Sequence, residues 1–245
     1  MSSRPVVGRP PEDRPGPEPA PARPRAAREP VRSWALGWPA RFSRAVLWPT
    51  LCEPIVRTFY SLEALGAERL AGTPAPVIFA ANHCAHLDNA FIIVALPKPW
   101  RRRLAIAAAA ADIFGPRHLG LPIKGTLAQL LGNAFPFARR RGPARVDHLQ
   151  SLLDQRWSVL IFPEGKLTVC GPMQPFKAGI GLVAVESRMP VVPVRVDVLR
   201  RGPWEGGGRL SRGRVQVCFG APMRFAEDED PEDVTARLEA AVRAL

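Results

Sequence analysis

Val77-Ile78-Phe79-Ala80-Ala81-Asn82-His83-Cys84-Ala85-His86-Leu87-Asp88-Asn89-Ala90-Phe91-Ile92-Ile93-Val94-Ala95-Leu96 is the stretch on which the fold turns. Its first five residues form a short continuous apolar run, the pattern of a buried strand. From Asp88 to Leu96 the residues are apolar nearly all round, as in a buried helix. Between them lies a polar turn with two histidines and an acid. A site in such a turn sits at the carboxyl end of a strand, where α/β sheets form their crevices.

The same alternation extends outward. Phe59-Leu65 and Leu104-Ala110 read as strands, and Ile123-Leu131 as a helix stopped at Gly132. Asn133-Phe137 is a short apolar run. Val146-Trp157 reads as an amphipathic helix, and Val159-Phe162 as a strand running into Pro163-Glu164-Gly165. Gly179-Ser187 is the next helix, followed by strands at Val191-Val196 and Val215-Phe219. Asp230 caps a last helix, with Pro231 first and Val234, Leu238 and Val242 on one face. Repeated alternation of this kind predicts an α/β fold over residues 59–245, with a mostly parallel central sheet flanked by helices.

The remainder of the 245 residues divides in two. Residues 1–30 are Pro, Arg, Ala and Glu with few large apolar side chains, a composition that predicts a disordered tail. They contain no apolar run of the signal-peptide kind. In residues 31–58, Trp34, Trp38, Phe42, Val46 and Trp48 recur at roughly helical spacing among Arg32, Arg41, Arg44 and Arg57. Pro39, Pro49 and Pro54 are expected to break this segment into short helical pieces. Its composition suits an amphipathic helix at a membrane interface, and equally a Trp-rich helix packed on the domain. No window reaches the ~18–20 apolar residues of a membrane-spanning helix.

With 34 basic and 22 acidic residues the formal charge is +12, which favours an anionic partner. No basic helix, zinc finger or aromatic RNA-binding signature accompanies it, so nucleic acid is not the expected partner. The four cysteines are scattered without a C-x-x-C pair and read as reduced thiols.

Three segments could carry chemistry. His83 and Asp88 lie five apart, too far to share one helix face. With His83 in the turn and Asp88 in the first helical turn, Asp88 could orient the imidazole and leave its other nitrogen as a base. Spacing alone favours Asn82 and Asp88 as helix-capping residues beside an incidental histidine. His83-x-x-His86 with Asp88 could also offer three metal ligands, but no second His or Cys cluster completes a site. His118, in a Gly/Pro/Arg loop, and His148, on the polar side of a helix, read as surface residues. The second segment is Ile161-Phe162-Pro163-Glu164-Gly165-Lys166, a strand ending in a turn, with Phe176-Lys177-Ala178-Gly179 opening a later helix. The third is Gly132 to Arg141, an apolar stretch ending in Arg139, Arg140 and Arg141, suited to a phosphate or to a solvated loop.

Taken in chain order, these segments resemble the glycerolipid acyltransferases, the lysophosphatidic acid acyltransferases and their relatives. The Asn-His-x4-Asp signature of that family stands as Asn82, His83 and Asp88; its Phe-Pro-Glu-Gly block is Phe162-Pro163-Glu164-Gly165; its Val-Pro-Val strand is Val192-Pro193-Val194. The likeness runs from about Leu62 to Met223. It implies that His83 and Asp88 are catalytic, taking the proton from a glycerol hydroxyl that attacks an acyl-CoA or acyl-carrier-protein thioester. It further implies that Arg139, Glu164, Gly165 and Lys177 bind substrate, Arg139 through the acceptor's phosphate. The expected acceptor is a lysophospholipid, foremost 1-acyl-glycerol-3-phosphate giving phosphatidic acid. No metal or bound cofactor is implied. Family members work peripherally at the cytoplasmic face of the membrane, which tips residues 31–58 toward an anchor on an anionic surface. Two departures fall on the acceptor side: Phe135-Pro136-Phe137-Ala138-Arg139 replaces a common Ile-Phe-Ile-Asp-Arg, and Lys166 stands where a small hydroxyl residue is frequent. A membrane-binding protein without catalysis, a hydrolase using the same base, and an acyltransferase with another acceptor alcohol are the competing readings.

Overall fold

The computed structural model describes residues 33–109, 123–137, 143–169, 171–203 and 211–245. The expectations for the tail at 1–30, for His118 and for Arg139 lie outside these residues. Seven strands form one sheet in the order β1-β7-β6-β2-β5-β3-β4. They are β1 Tyr60–Leu65, β2 Ile78–Ala81, β3 Leu104–Ala109, β4 Ala134–Phe137, β5 Ser158–Ile161, β6 Val191–Arg200 and β7 Gly213–Phe219. From β6 to β4 all neighbours are parallel. β7 pairs antiparallel with β6, and β1 runs parallel to β7. The expected mostly parallel sheet is therefore present. β2 and β5 are buried at every position, as their unbroken apolar runs require of strands covered on both faces.

Helix α1 (Trp38–Leu47) is followed by a π-turn (Trp48–Cys52) and α2 (Glu53–Phe59). Next come α3 (Asp88–Ala95), α4 (Lys98–Arg101), α5 (Ile123–Gly132) and α6 (Pro143–Asp154). The chain closes with α7 (Gly179–Ser187) and α8 (Pro231–Arg243). One core packs α2 and α3 on the sheet through Tyr60, Phe79, Phe91 and Phe219. The other packs α6, α7 and α8 through Leu149, Leu152, Ile180, Val234 and Leu238. α7 and α8 meet closely because Gly181 lacks a Cβ, which would stand 1.8 Å from the Pro231 carbonyl oxygen. Asp230 caps α8 by accepting from the Glu232 N–H, as its sequence predicts.

Residues 38–59 divide into the expected short pieces, each with its proline at the second position, but the pieces join end to end. The residues joining α1, the π-turn and α2 keep right-handed helical angles, so the segment is one rod. Pro49 and Pro54 cannot donate backbone hydrogen bonds, and the helix absorbs this by widening, with Glu53 N–H donating to Trp48 O. The rod is docked by polar anchors. Arg44 donates to the Gln129 and Leu130 carbonyls and to Ala35 O, and Trp48 Nε1 donates to Leu131 O at 2.8 Å. These donors satisfy the last carbonyls of α5. Arg44 is thus buried rather than offered to solvent among the aromatic residues, and burial lowers its pKa to about 10, still charged at neutral pH. Arg101 bonds Val94 O and Leu96 O at the end of α3 and Glu53 on the rod, each at 2.6 Å.

Candidate active site

β2 ends at Ala81, and Asn82 continues its pairing with side-chain atoms. Asn82 Nδ2 donates to Val196 O at 2.9 Å, and Val196 N donates to Asn82 Oδ1 at 2.7 Å. The chain then turns off the sheet. His83 N donates to Glu164 Oε1 at 2.8 Å, and His83 O accepts from Thr168 N at 2.9 Å. The imidazole stacks on Phe162, with ring centres 4.4 Å apart. Its position is set from both backbone ends and one ring face before any side-chain polar contact is made.

His83 Nδ1 lies 2.8 Å from Asp88 Oδ2. The same oxygen accepts from Cys84 N at 2.8 Å and Ala85 N at 3.0 Å. Asp88 is fully buried, and these three donors replace its lost hydration. An oxygen that accepts from two backbone N–H groups accepts from the ring as well, so Nδ1 carries the imidazole proton and Nε2 is left to take one. Capping and catalysis are therefore not alternatives here: one carboxylate closes the turn and orients the ring. The N-cap position of α3 belongs to Leu87, without a side-chain cap.

Glu164 is 2% exposed. Its Oε1 takes the His83 N–H and its Oε2 takes the Gln174 N–H at 2.9 Å. It braces two loops, and it also lines a cavity of about 260 Å³ together with Asn82, His83 and Cys84. Gly165 has φ +68°, and a Cβ there would stand 2.4 Å from Lys177 Nζ. Lys177 is exposed and packs along this turn, and its backbone N–H donates to Pro163 O at 3.1 Å. His83, Asp88 and Glu164 are thus in one connected set, with Gly165 and Lys177 at its edge. His86 is exposed. Among the described residues no three His, Cys, Asp or Glu side chains gather as metal ligands.

Cys84 Sγ lies 3.2 Å from Val196 O. Burial, then the neighbouring Asp88, Asp197 and Glu164 carboxylates, push its thiol well above the ordinary range. It stays a neutral donor, which excludes it as a thiolate nucleophile at neutral pH. The far wall of the cavity holds Arg195 and Asp197 of β6 and Arg201 just beyond it. None of the three belongs to a motif. The signal present was two opposite charges two residues apart in the otherwise apolar Val191–Val198 run. His148 also differs from its expectation as a surface residue. It is half-buried, stacks on Phe135 at 5.1 Å, and its Nε2 is enclosed with no hydrogen-bond partner among the described residues.

This architecture defines a class: an α/β protein holding a tautomer-fixed imidazole over a small cavity at the carboxyl edge of a parallel sheet. The Acyltransferase family model matches residues 63–197, more than half of the chain, and the chain belongs to that family. Among curated relatives, the chloroplastic 1-acyl-sn-glycerol-3-phosphate acyltransferase BAT2 of Brassica napus is 26% identical over 183 residues, 73% of this chain and 49% of the relative. The 1-acyl-sn-glycerol-3-phosphate acyltransferase alpha of Ovis aries is 29% identical over 167 residues, 66% of this chain and 53% of the relative. The chain spans about half the length of these relatives. The crystal structure of the 1-acyl-sn-glycerophosphate (LPA) acyltransferase PlsC from Thermotoga maritima shares the fold. Its TM-score is 0.54 at 17% identity, covering 81% of this chain and 78% of that one.

Proposed function

We propose that this protein transfers a fatty acyl group from an acyl thioester, acyl-CoA or acyl-carrier-protein, to a glycerol hydroxyl of a lysophospholipid. The foremost acceptor is 1-acyl-glycerol-3-phosphate, the substrate in the relatives' names, giving phosphatidic acid. The observation that carries this reading is the 2.8 Å contact of His83 Nδ1 with buried Asp88 beside the cavity. Nε2 removes the hydroxyl proton as the oxygen attacks the thioester carbonyl. The new C–O bond forms, the C–S bond breaks, and the proton passes from Nε2 to the departing thiolate. Asp88 stabilises the imidazolium in between. The reaction needs no metal or bound cofactor, because the thioester is already activated.

Arg139, following β4 in sequence, is assigned to the acceptor's phosphate. Glu164, Gly165 and Lys177 form the rim of the acceptor site. At about 260 Å³ the cavity is below the ~300–1,000 Å³ of a drug-sized ligand pocket, so it suits the polar head and glycerol rather than an acyl chain. The chains then stay with the lipid surface. None of the described helices is long and apolar enough to cross a membrane. The rod at residues 38–59 exposes Trp38, Phe42 and Val46, and with the +12 charge this favours peripheral attachment to the anionic cytoplasmic face.

The test is purified protein with mixed lysolipids and both donor types, read by lipid mass spectrometry. His83→Ala is expected to abolish acylated product while keeping the wild-type melting temperature. A His83→Ala protein that acylates at the wild-type rate overturns the mechanism.

A further inference from the structure

Arg195 and Asp197 project from the same face of β6, two residues apart, and pair at 2.8 Å through Arg195 Nε and Asp197 Oδ2. Both line the cavity that His83 lines. Their position relative to His83 is rigid, because the intervening Val196 is bonded twice by Asn82 and contacted by the Cys84 thiol. Arg195 is held a second time, with Nη1 donating to Arg243 O at 3.0 Å. The pair interrupts a strand that is otherwise Val, Pro and Leu up to Arg200.

Stability does not account for this pair. Each side chain is 31% exposed, and ion pairs so placed add little to folding. Its chemistry toward a ligand is specific. The guanidinium presents donors to a phosphate oxygen. Asp197 Oδ1 makes none of the described hydrogen bonds, whereas both Glu164 oxygens are occupied by backbone N–H groups. The wall therefore offers a fixed donor array beside an open carboxylate oxygen. A phosphate monoester gains from Arg195 and is repelled by Asp197. A head with an ammonium next to its phosphate is attracted by both.

We infer that Arg195 and Asp197 form a head-group subsite that extends the acceptor range to zwitterionic lysophospholipids carrying an ammonium beside the phosphate. This rests on the acyl-transfer reading, with the glycerol hydroxyl at His83 and the head against β6. Asp197 acts by touching the ammonium and Arg195 by holding Asp197 in place and touching the phosphate, so the zwitterionic head takes the β6 side of the site and not the contact assigned to Arg139.

The test sets wild-type and Asp197→Asn protein against an equimolar mixture of 1-acyl-glycerol-3-phosphate and 1-acyl-glycerophosphoethanolamine, with an acyl thioester. The ratio of phosphoethanolamine to phosphate products is expected to fall about tenfold in the variant, the worth of one charge-assisted contact. Asp197→Glu, which keeps the charge, is expected to restore much of the ratio. An unchanged ratio in Asp197→Asn overturns the inference, and a merely structural role would lower the melting temperature without moving it. A binding arm uses His83→Ala protein, with and without Asp197→Asn, on micelles of either lysolipid. Binding selectivity that shifts with Asp197 while wild-type protein turns over neither lipid leaves the subsite standing and removes acyl transfer. Turnover with both selectivities unmoved does the reverse.

Discussion

Asp88 Oδ2 accepts from His83 Nδ1, Cys84 N and Ala85 N within 3.0 Å, so one atom closes the turn and selects the tautomer. An asparagine there has one acceptor oxygen and presents an N–H₂ group that cannot accept. Its oxygen can take the place of Oδ2, but the side chain is neutral, so the imidazolium formed during proton transfer loses its counter-charge and the N–H₂ group is free to turn toward the ring and impose the wrong tautomer. Asp88→Asn is therefore expected to lower kcat about 10²- to 10⁴-fold, by analogy with removing the orienting carboxylate of other His–Asp pairs. Steady-state release of free thiol from the acyl donor measures it, and a variant with wild-type kcat would remove Asp88 from the mechanism.

The rod at residues 38–59 shows how a local irregularity serves a long surface. Trp38, Phe42, Val46, Leu51, Ile55 and Phe59 are all exposed. Each follows the last by four residues except Leu51, which follows Val46 by five, and that longer step spans the entry to the π-turn at Trp48–Cys52. The wider turn absorbs the extra residue, which keeps the apolar side chains on one continuous stripe about 30 Å long at ~1.5 Å per residue. The opposite side carries Arg44 and Trp48, which dock the rod on α5. Since burying a large apolar side chain contributes about 1.5–3 kcal/mol, the double substitution Trp38→Glu with Phe42→Glu is expected to weaken binding to anionic vesicles at least about tenfold. Turnover of micellar substrate should persist, because neither side chain lines the cavity. Vesicle co-sedimentation checks it, and undiminished binding would show that the stripe is not the lipid contact.

At the scale of the whole molecule, the sheet carries an apolar core on each face, and His148 lies against Phe135 of the second core. Its ring stacks on Phe135, and burial lowers its pKa below the ordinary imidazole value. An unfolded chain takes up that proton near pH 6.5, before the folded protein does. The unfolded state thus binds more protons as pH falls below about 7, and stability is lost in that direction. His148→Phe keeps the stack and removes the titration. The drop in melting temperature between pH 7.5 and pH 5.5 is expected to be smaller in the variant than in the wild type. Equal drops would mean that His148 plays no part in acid sensitivity.

Much of this was legible along the chain. The Val77–Ala81 run and the apolar helix after Asp88 marked a buried strand and helix because burial on all sides removes the need for polar residues. The turn between them marked a carboxyl-edge site, and Asp230-Pro231 marked the start of α8 through capping chemistry that needs only neighbours. The prolines marked where the pieces of the rod begin, each at the second position of its piece, but that the pieces join end to end on α5 and α3 was not legible locally. Arg44 could not be told from its exposed neighbours, because its partners are some 85 residues away. The sequence by itself determined the strand, the turn and the buried helix, since all lie within twenty residues, whereas spacing left the His83–Asp88 contact open between capping and catalysis. Only the tertiary structure decided that Glu164, 81 residues on, braces His83, and that Arg195 and Asp197 face the same cavity. Those contacts follow from β5 and β6 both pairing with β2, a choice among strand orders that local propensity does not encode.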